Sequence, residues 1–217
     1  MHTTSPETPN RMDRRKNRTK TLLMHAASEL VLEKGYEDVM IDEITERADI
    51  GRRTFYNHFV SKEECVLAAV KNRFAAHARE LEQSLGLPSP EDAAAGDSDH
   101  ALFIAKLASH MFRLIALDPI TEQLIDYPRI LSEAIADSQR DHLLAHLANG
   151  VVSGRLKPSL LPESLEPIVA WGFVGLVVTS IRRKSQEADS LTWGSFLLQN
   201  LGIAEPEAKA LLDGIQA

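Results

Sequence analysis

The chain has 217 residues, of which 44% are hydrophobic and 25% charged, an ordinary balance for a soluble globular protein with one or two packed domains. Its formal net charge is −7, but residues 1–62 carry 11 Lys and Arg against 10 Asp and Glu, so the acidity belongs to the remainder. The lone cysteine, Cys65, excludes an internal disulfide and fits a reducing cytoplasm.

The first twenty residues are polar and basic, without the apolar stretch of a secretory signal. Arg11, Arg14, Arg15, Lys16, Arg18 and Lys20 face only Asp13 nearby, so residues 1–18 are expected to form a basic arm suited to a polyanion. From Thr19 to Lys34 the apolar residues Leu22, Leu23, Ala26, Ala27, Leu30 and Val31 follow helical spacing. Gly35 supplies a left-handed stop, with Tyr36 folding back on Val31 as in a Schellman motif. Ile41, Ile44 and Ala48 predict a second, short helix, broken at Asp49-Ile50-Gly51. Gly51 then caps a third helix over Arg52–Phe59, and Ser61 a fourth with Val66, Leu67, Val70 and Phe74 on its apolar face.

In the third helix Phe55 and Phe59 share one face, while Arg53, Thr54, Asn57 and His58 occupy the opposite arc. Arg52, at the first helical position, can swing outward. A short helix, a tight turn and a second short helix rich in donors is a helix-turn-helix arrangement. Arg can bind guanine O6 and N7, Asn can read adenine, and Thr can meet a thymine methyl or a phosphate. Tyr56, His58 and Lys62 are assigned to the phosphate backbone.

Residues 86–99, "GLPSPEDAAAGDSD", are expected to form a loop. A long helix follows through residues 101–117, and Asp118-Pro119 and Pro128 mark further boundaries. Phe103, Leu107, Met111 and Leu114 are candidates for the wall of an apolar ligand pocket, with His110 at its margin and Tyr127 or Trp171 nearby. Pro167–Ile181 is apolar all round but short of the roughly 20 residues that cross a bilayer. It is therefore expected as a buried helix, and no membrane partner is expected. Gly172, Gly175, Val178, Trp193, Phe196 and Leu197 are candidates for a dimer interface between the helices of residues 165–183 and 191–201. His142 and His146, at i and i+4, could share a zinc, but without a third ligand a solvated polar face is favoured. Cys65 reads as a small buried hydrophobe rather than a redox sensor. No nucleophile–base pair or phosphate-cradling Gly loop points to an enzyme, and no metal or cofactor is expected.

The stretch "AASELVLEKGYEDVMIDEITERADIGRRTFYNHFVSKEECVLAAV" resembles the N-terminal domain of the tetracycline-repressor (TetR) family of bacterial transcriptional regulators. The resemblance rests on Ala27, Gly35-Tyr36, Ile44, Ala48, Thr54-Phe55-Tyr56, His58-Phe59 and Lys62-Glu63. It implies an all-α homodimer whose third helix enters the major groove of an inverted-repeat operator, with a small hydrophobic effector bound in the larger domain. On this reading residues 1–18 are the arm, 19–62 the DNA-binding domain and 63–217 the effector and dimerisation domain of a cytoplasmic repressor. Three positions depart from the family pattern. Val39-Met40 stand where a capping threonine is usual, Asp49 replaces a glycine, and Gly51 replaces a serine cap.

Overall fold

The computed structural model describes residues 11–86, 99–160 and 162–216, without the side chains of 137–143, 145, 162, 163, 166 and 216. Residues 1–10 of the expected arm and most of the expected 86–99 loop lie outside it. Among the described residues every regular element is helical, and the chain divides into two compact units, Met1–Ala69 and Val70–Ala217.

The first unit contains α1 (Arg11–Lys34), α2 (Ile41–Arg47), α3 (Arg52–Tyr56) and the start of α4 (Lys62–Ser84). Leu23, Ala27, Val31, Ile44, Phe55, Cys65 and Val66 are fully buried and form its core. Among the described residues α1 already includes Arg11, eight residues before the expected start, and residues 11–18 are exposed. It stops at Gly35 (φ 84°), whose N–H donates to the Val31 carbonyl at 2.9 Å. Gly35 is thus a left-handed helix stop. A two-bond Schellman form follows α2. Asp49 has φ 53°, its N–H donates to Glu46 O, and the Ile50 N–H donates to Thr45 O. Aspartate visits this conformation more readily than most residues, so the departure from glycine is accommodated.

At the start of α2 no side chain of residue 40 caps the helix; the Glu43 carboxylate instead accepts the Met40 N–H at 2.9 Å. Val39, buried at 2% exposure, anchors the entry to the helix. Ser61 caps α4 by accepting the Glu64 N–H at 3.1 Å, and Glu64 returns to the Val60 N–H.

The second unit contains the rest of α4 together with α5 (His100–Leu117), α6 (Pro119–Glu122), α7 (Pro128–Val152), α8 (Pro162–Arg183), α9 (Gln186–Asn200) and α10 (Glu205–Gln216). Asp99 caps α5 through the Ala101 and Leu102 amides, and Asp118 caps α6 through Ile120. α5 is the central helix and packs on α7, α8, α9 and α10. It is long and apolar enough to span a bilayer by composition, yet 67% of it is buried in its own unit, as in a core helix. α9 starts at Gln186 rather than residue 191, following a left-handed Lys184 (φ 57°) that ends α8.

Candidate functional site

α3 is shorter than expected, ending at Tyr56 with Asn57 as its cap. The chain continues through one more turn, in which Phe59 N–H donates to Phe55 O at 2.9 Å. Phe55 and Phe59 therefore stay on one face, 0% and 2% exposed, with ring centroids 5.8 Å apart. Burial of these two rings fixes which side of α3 faces outward. Arg52, Arg53, Tyr56 and Asn57 are exposed; Thr54 and His58 are half-buried.

The outward side chains differ in freedom. Arg52 Nη1 donates to both oxygens of Asp42 at 2.6 and 2.8 Å, and its guanidinium lies 6.0 Å from the Tyr56 ring centroid. Its pKa is raised, first by a hydrogen bond with Tyr56 and then by the Asp42 charge. Arg53 and Asn57 make no side-chain hydrogen bond or ion pair among the described residues, so their donors are available to a ligand. Burial lowers the pKa of His58, and the charges of Lys16 and Lys20 lower it further. The basic face of α1 therefore adjoins this end of α3.

Lys62 is occupied from within. Its ammonium donates to the carbonyls of Tyr36 at 2.9 Å and Glu37 at 3.0 Å, and lies 4.5 Å from the Tyr36 ring centroid. Burial lowers its pKa. The side chain thus ties the loop after α1 to the start of α4, a job that its sequence position did not reveal. Cys65 is fully buried, and burial pushes its thiol up to about 12. That removes the accessible thiolate on which redox sensing depends.

In the second unit α5, α7, α8 and α9 enclose an apolar cavity of about 130 Å³. Of the pocket candidates Leu107 and Met111 line this cavity, and Ile104, Ile115, Phe173, Trp193 and Leu197 are also in its wall. Phe103 is absent from the wall because its ring stacks on His146, with centroids 3.4 Å apart. Leu114 and His110 face a different groove, Tyr127 stands at the start of α7, and Trp171 is 52% exposed.

Trp193 and Leu197, expected at a partner interface, are buried at 3% and 7% within their own chain. The other interface candidates lie outward: Gly172, Gly175 and Phe196 are exposed and Val178 is half-buried. His146 is fully buried, its Nδ1 3.1 Å from Nδ1 of His100, so it belongs to the core and not to a solvated face. The side chain of His142 lies outside the described residues. Among the described residues no group of three His, Cys, Asp or Glu could hold a metal ion.

Residues 23–69 match the family described as bacterial regulatory proteins, tetR family. The chain is 38% identical over 66 residues to the HTH-type transcriptional regulator TcmR of Streptomyces glaucescens, covering 30% of this chain and 29% of TcmR. It is 39% identical over 62 residues to the HTH-type transcriptional activator FasR of Mycolicibacterium smegmatis, covering 29% and 27% of the two chains. Both matches thus span less than a third of the relative's length. The whole fold is similar to that of RolR crystallised with resorcinol, with a TM-score of 0.69 and 22% identity over 92% of this chain and 95% of RolR. Reduced NemR of E. coli has a similar fold, with a TM-score of 0.54 and 18% identity over 87% of this chain and 100% of NemR. The family match falls on the helices whose geometry is described above, and the fold likeness extends through the larger unit. Residues 23–69 thus carry the likeness to the tetR family of bacterial regulatory proteins, while the larger unit shares a fold with the solved structures.

Proposed function

We propose that the protein is a DNA-binding transcriptional regulator, acting as a repressor, that reads an inverted-repeat operator through α3. The observation that carries this reading is the outward face of α3, where Arg53 and Asn57 are exposed and uncommitted while Phe55 and Phe59 hold the helix in register. Arg and Asn on one arc are the side chains that read guanine and adenine edges bidentately. Arg52 is held ready by Asp42, and an operator would exchange that carboxylate for a base or phosphate.

Two copies of the chain would bring two such helices to mirrored half-sites. The apolar face for that pairing is the outer side of α8 and α9, where Ile168, Trp171 and Phe196 are 48%, 52% and 42% exposed beside the open backbone of Gly175. The effector is a small, mostly apolar molecule bound in the α5–α9 cavity. Its volume of about 130 Å³ is comparable with dry apolar cavities that accept a single benzene ring. RolR, whose fold is similar, was crystallised with the one-ring compound resorcinol.

The test is selection of bound sequences from a random DNA pool, followed by titration of the selected site with and without one-ring phenols. An inverted repeat whose affinity falls with a phenol fits the proposal. Enrichment of no sequence, or of one asymmetric half-site bound by a monomer, overturns it. Affinity that rises with the phenol would make the protein an effector-dependent binder rather than one released by its ligand.

A further inference from the structure

The larger unit has a second concavity, a groove of about 510 Å³ formed by the second half of α4, the end of α5 and the start of α6. It shares no lining residue with the apolar cavity. At its floor is Asp118, whose side chain is 1% exposed. Its Oδ2 accepts Arg73 Nε at 2.6 Å and lies 2.7 Å from His77 Nε2, while Oδ1 accepts the Ile120 N–H at 3.0 Å. The buried carboxylate is therefore already satisfied.

Arg73 reaches it through Nε alone. The two terminal amino groups of the guanidinium have no protein partner among the described residues, and the side chain is 34% exposed. Arg113, on the groove rim, is 44% exposed and makes one ion pair with Glu187 at 3.3 Å. His110 also lines the groove, and its pKa is lowered by burial and then by the positive charges of Arg113 and Lys106. Two guanidiniums and two imidazoles thus face one buried, filled carboxylate and one exposed glutamate. The rest of the lining is apolar: Leu81, Leu114, Leu117 and Pro119, with Leu114 and Leu117 36% and 63% exposed.

We propose that this groove binds an organic carboxylate with a short apolar body. The Arg73 fork takes the carboxylate, Arg113 adds the second positive charge, and Leu114 and Leu117 cover the apolar body. A guanidinium with two parallel N–H donors left over matches a carboxylate in geometry and charge. Exposed leucines beside it would be dehydrated by an alkyl or aryl chain but by no bare anion. Binding here requires nothing of the DNA reading and is measured without DNA.

The test is calorimetric titration of the full chain with sodium octanoate and, separately, with sodium phosphate. Octanoate should bind, phosphate at least about tenfold more weakly. Arg73→Gln and Arg113→Gln should each weaken octanoate about tenfold or more, the scale of a lost charge-assisted hydrogen bond. Arg73→Lys should retain part of the affinity. Met111→Trp, which fills the separate apolar cavity, should leave octanoate binding unchanged. Because Arg113 is exposed, its substitution keeps the test valid if Arg73→Gln disturbs the fold around Asp118. Absence of octanoate binding, undiminished binding in Arg113→Gln, loss of binding in Met111→Trp, or phosphate bound as tightly as octanoate would each overturn the proposal.

Discussion

Arg53 and Lys62 each carry one positive charge, yet their surroundings predict different losses. Arg53 is exposed and uncommitted, so Arg53→Ala should cost about 1–3 kcal/mol on the preferred operator and much less on a site altered at the contacted base pair. Equal losses on every sequence would make it a phosphate contact instead. Lys62 spends its ammonium on the Tyr36 and Glu37 carbonyls. Lys62→Ala should therefore lower folding stability by about 1 kcal/mol, the scale of a lost hydrogen bond, in the absence of DNA. Unchanged denaturant midpoints with a reduced salt dependence of DNA binding would return it to a purely phosphate role. His58 makes a pH prediction. Its pKa is lowered from 6.5 by burial and by Lys16 and Lys20, so the unfolded chain binds the proton more tightly than the folded one. The associated stability is complete above about pH 6.5 and is lost as pH falls through the lowered value. Urea midpoints at pH 7.5 and 5.5 should differ more for the native chain than for His58→Gln; equal differences would sink this account.

At the scale of elements, the turn between α2 and α3 decides how α3 is presented. Asp49 sits at φ 53°, where a β-branched side chain is strongly disfavoured. Asp49→Val should lower both thermal stability and operator affinity, whereas Asp49→Gly should keep or raise stability; a neutral valine substitution would contradict the turn's importance. This turn was legible in the sequence because Asp, Gly and a lone Ile between two apolar patterns admit few conformations. The faces of α1, α2 and α4 were legible too, since clear helical spacing sets a phase. α8 is apolar all round over residues 167–181, so no phase could be read there. Trp193, expected at a partner interface, turns inward, and Trp171, expected near the pocket, turns outward. Residues 11–18 were equally opaque, with Met12 their one apolar side chain. Nor does a lysine's sequence position say whether its ammonium points to solvent or to a neighbouring carbonyl, as Lys62 does. The carboxylate groove was missed because Asp118-Pro119 signals a helix start, while Arg73 and His77 come from an element more than forty residues away.

For the whole molecule, pairing of two chains and ligand occupancy should be separable by substitution. Trp171→Glu or Gly175→Arg places a charge on the outer α8–α9 face without touching the cavity lining. Each should shift the protein to a monomer in sedimentation and weaken operator binding, while apolar ligands still raise its melting temperature. A dimer that survives both substitutions would remove this face from the proposal. Met111→Trp should do the converse, since Met111 is 2% exposed and lines the cavity. It should abolish thermal stabilisation by one-ring phenols and leave dimerisation and DNA binding intact. Persistence of the phenol effect would locate the ligand elsewhere.

The projecting start of α1 ties affinity to temperature. Residues 11–18 bury no surface, so their helicity is carried by cooperativity with the packed turns that follow. Arg11, Arg14, Arg15 and Arg18 stand three or four residues apart along these turns, and like charges at that spacing oppose winding there. A phosphate strand beside these turns would neutralise that repulsion and complete the helix. Ordering would then accompany DNA binding as a helix–coil transition, giving a more favourable binding enthalpy offset by lost chain entropy. Warming would fray this segment before it unfolds the domain, so affinity would decline over temperatures at which the three-helix core is still intact.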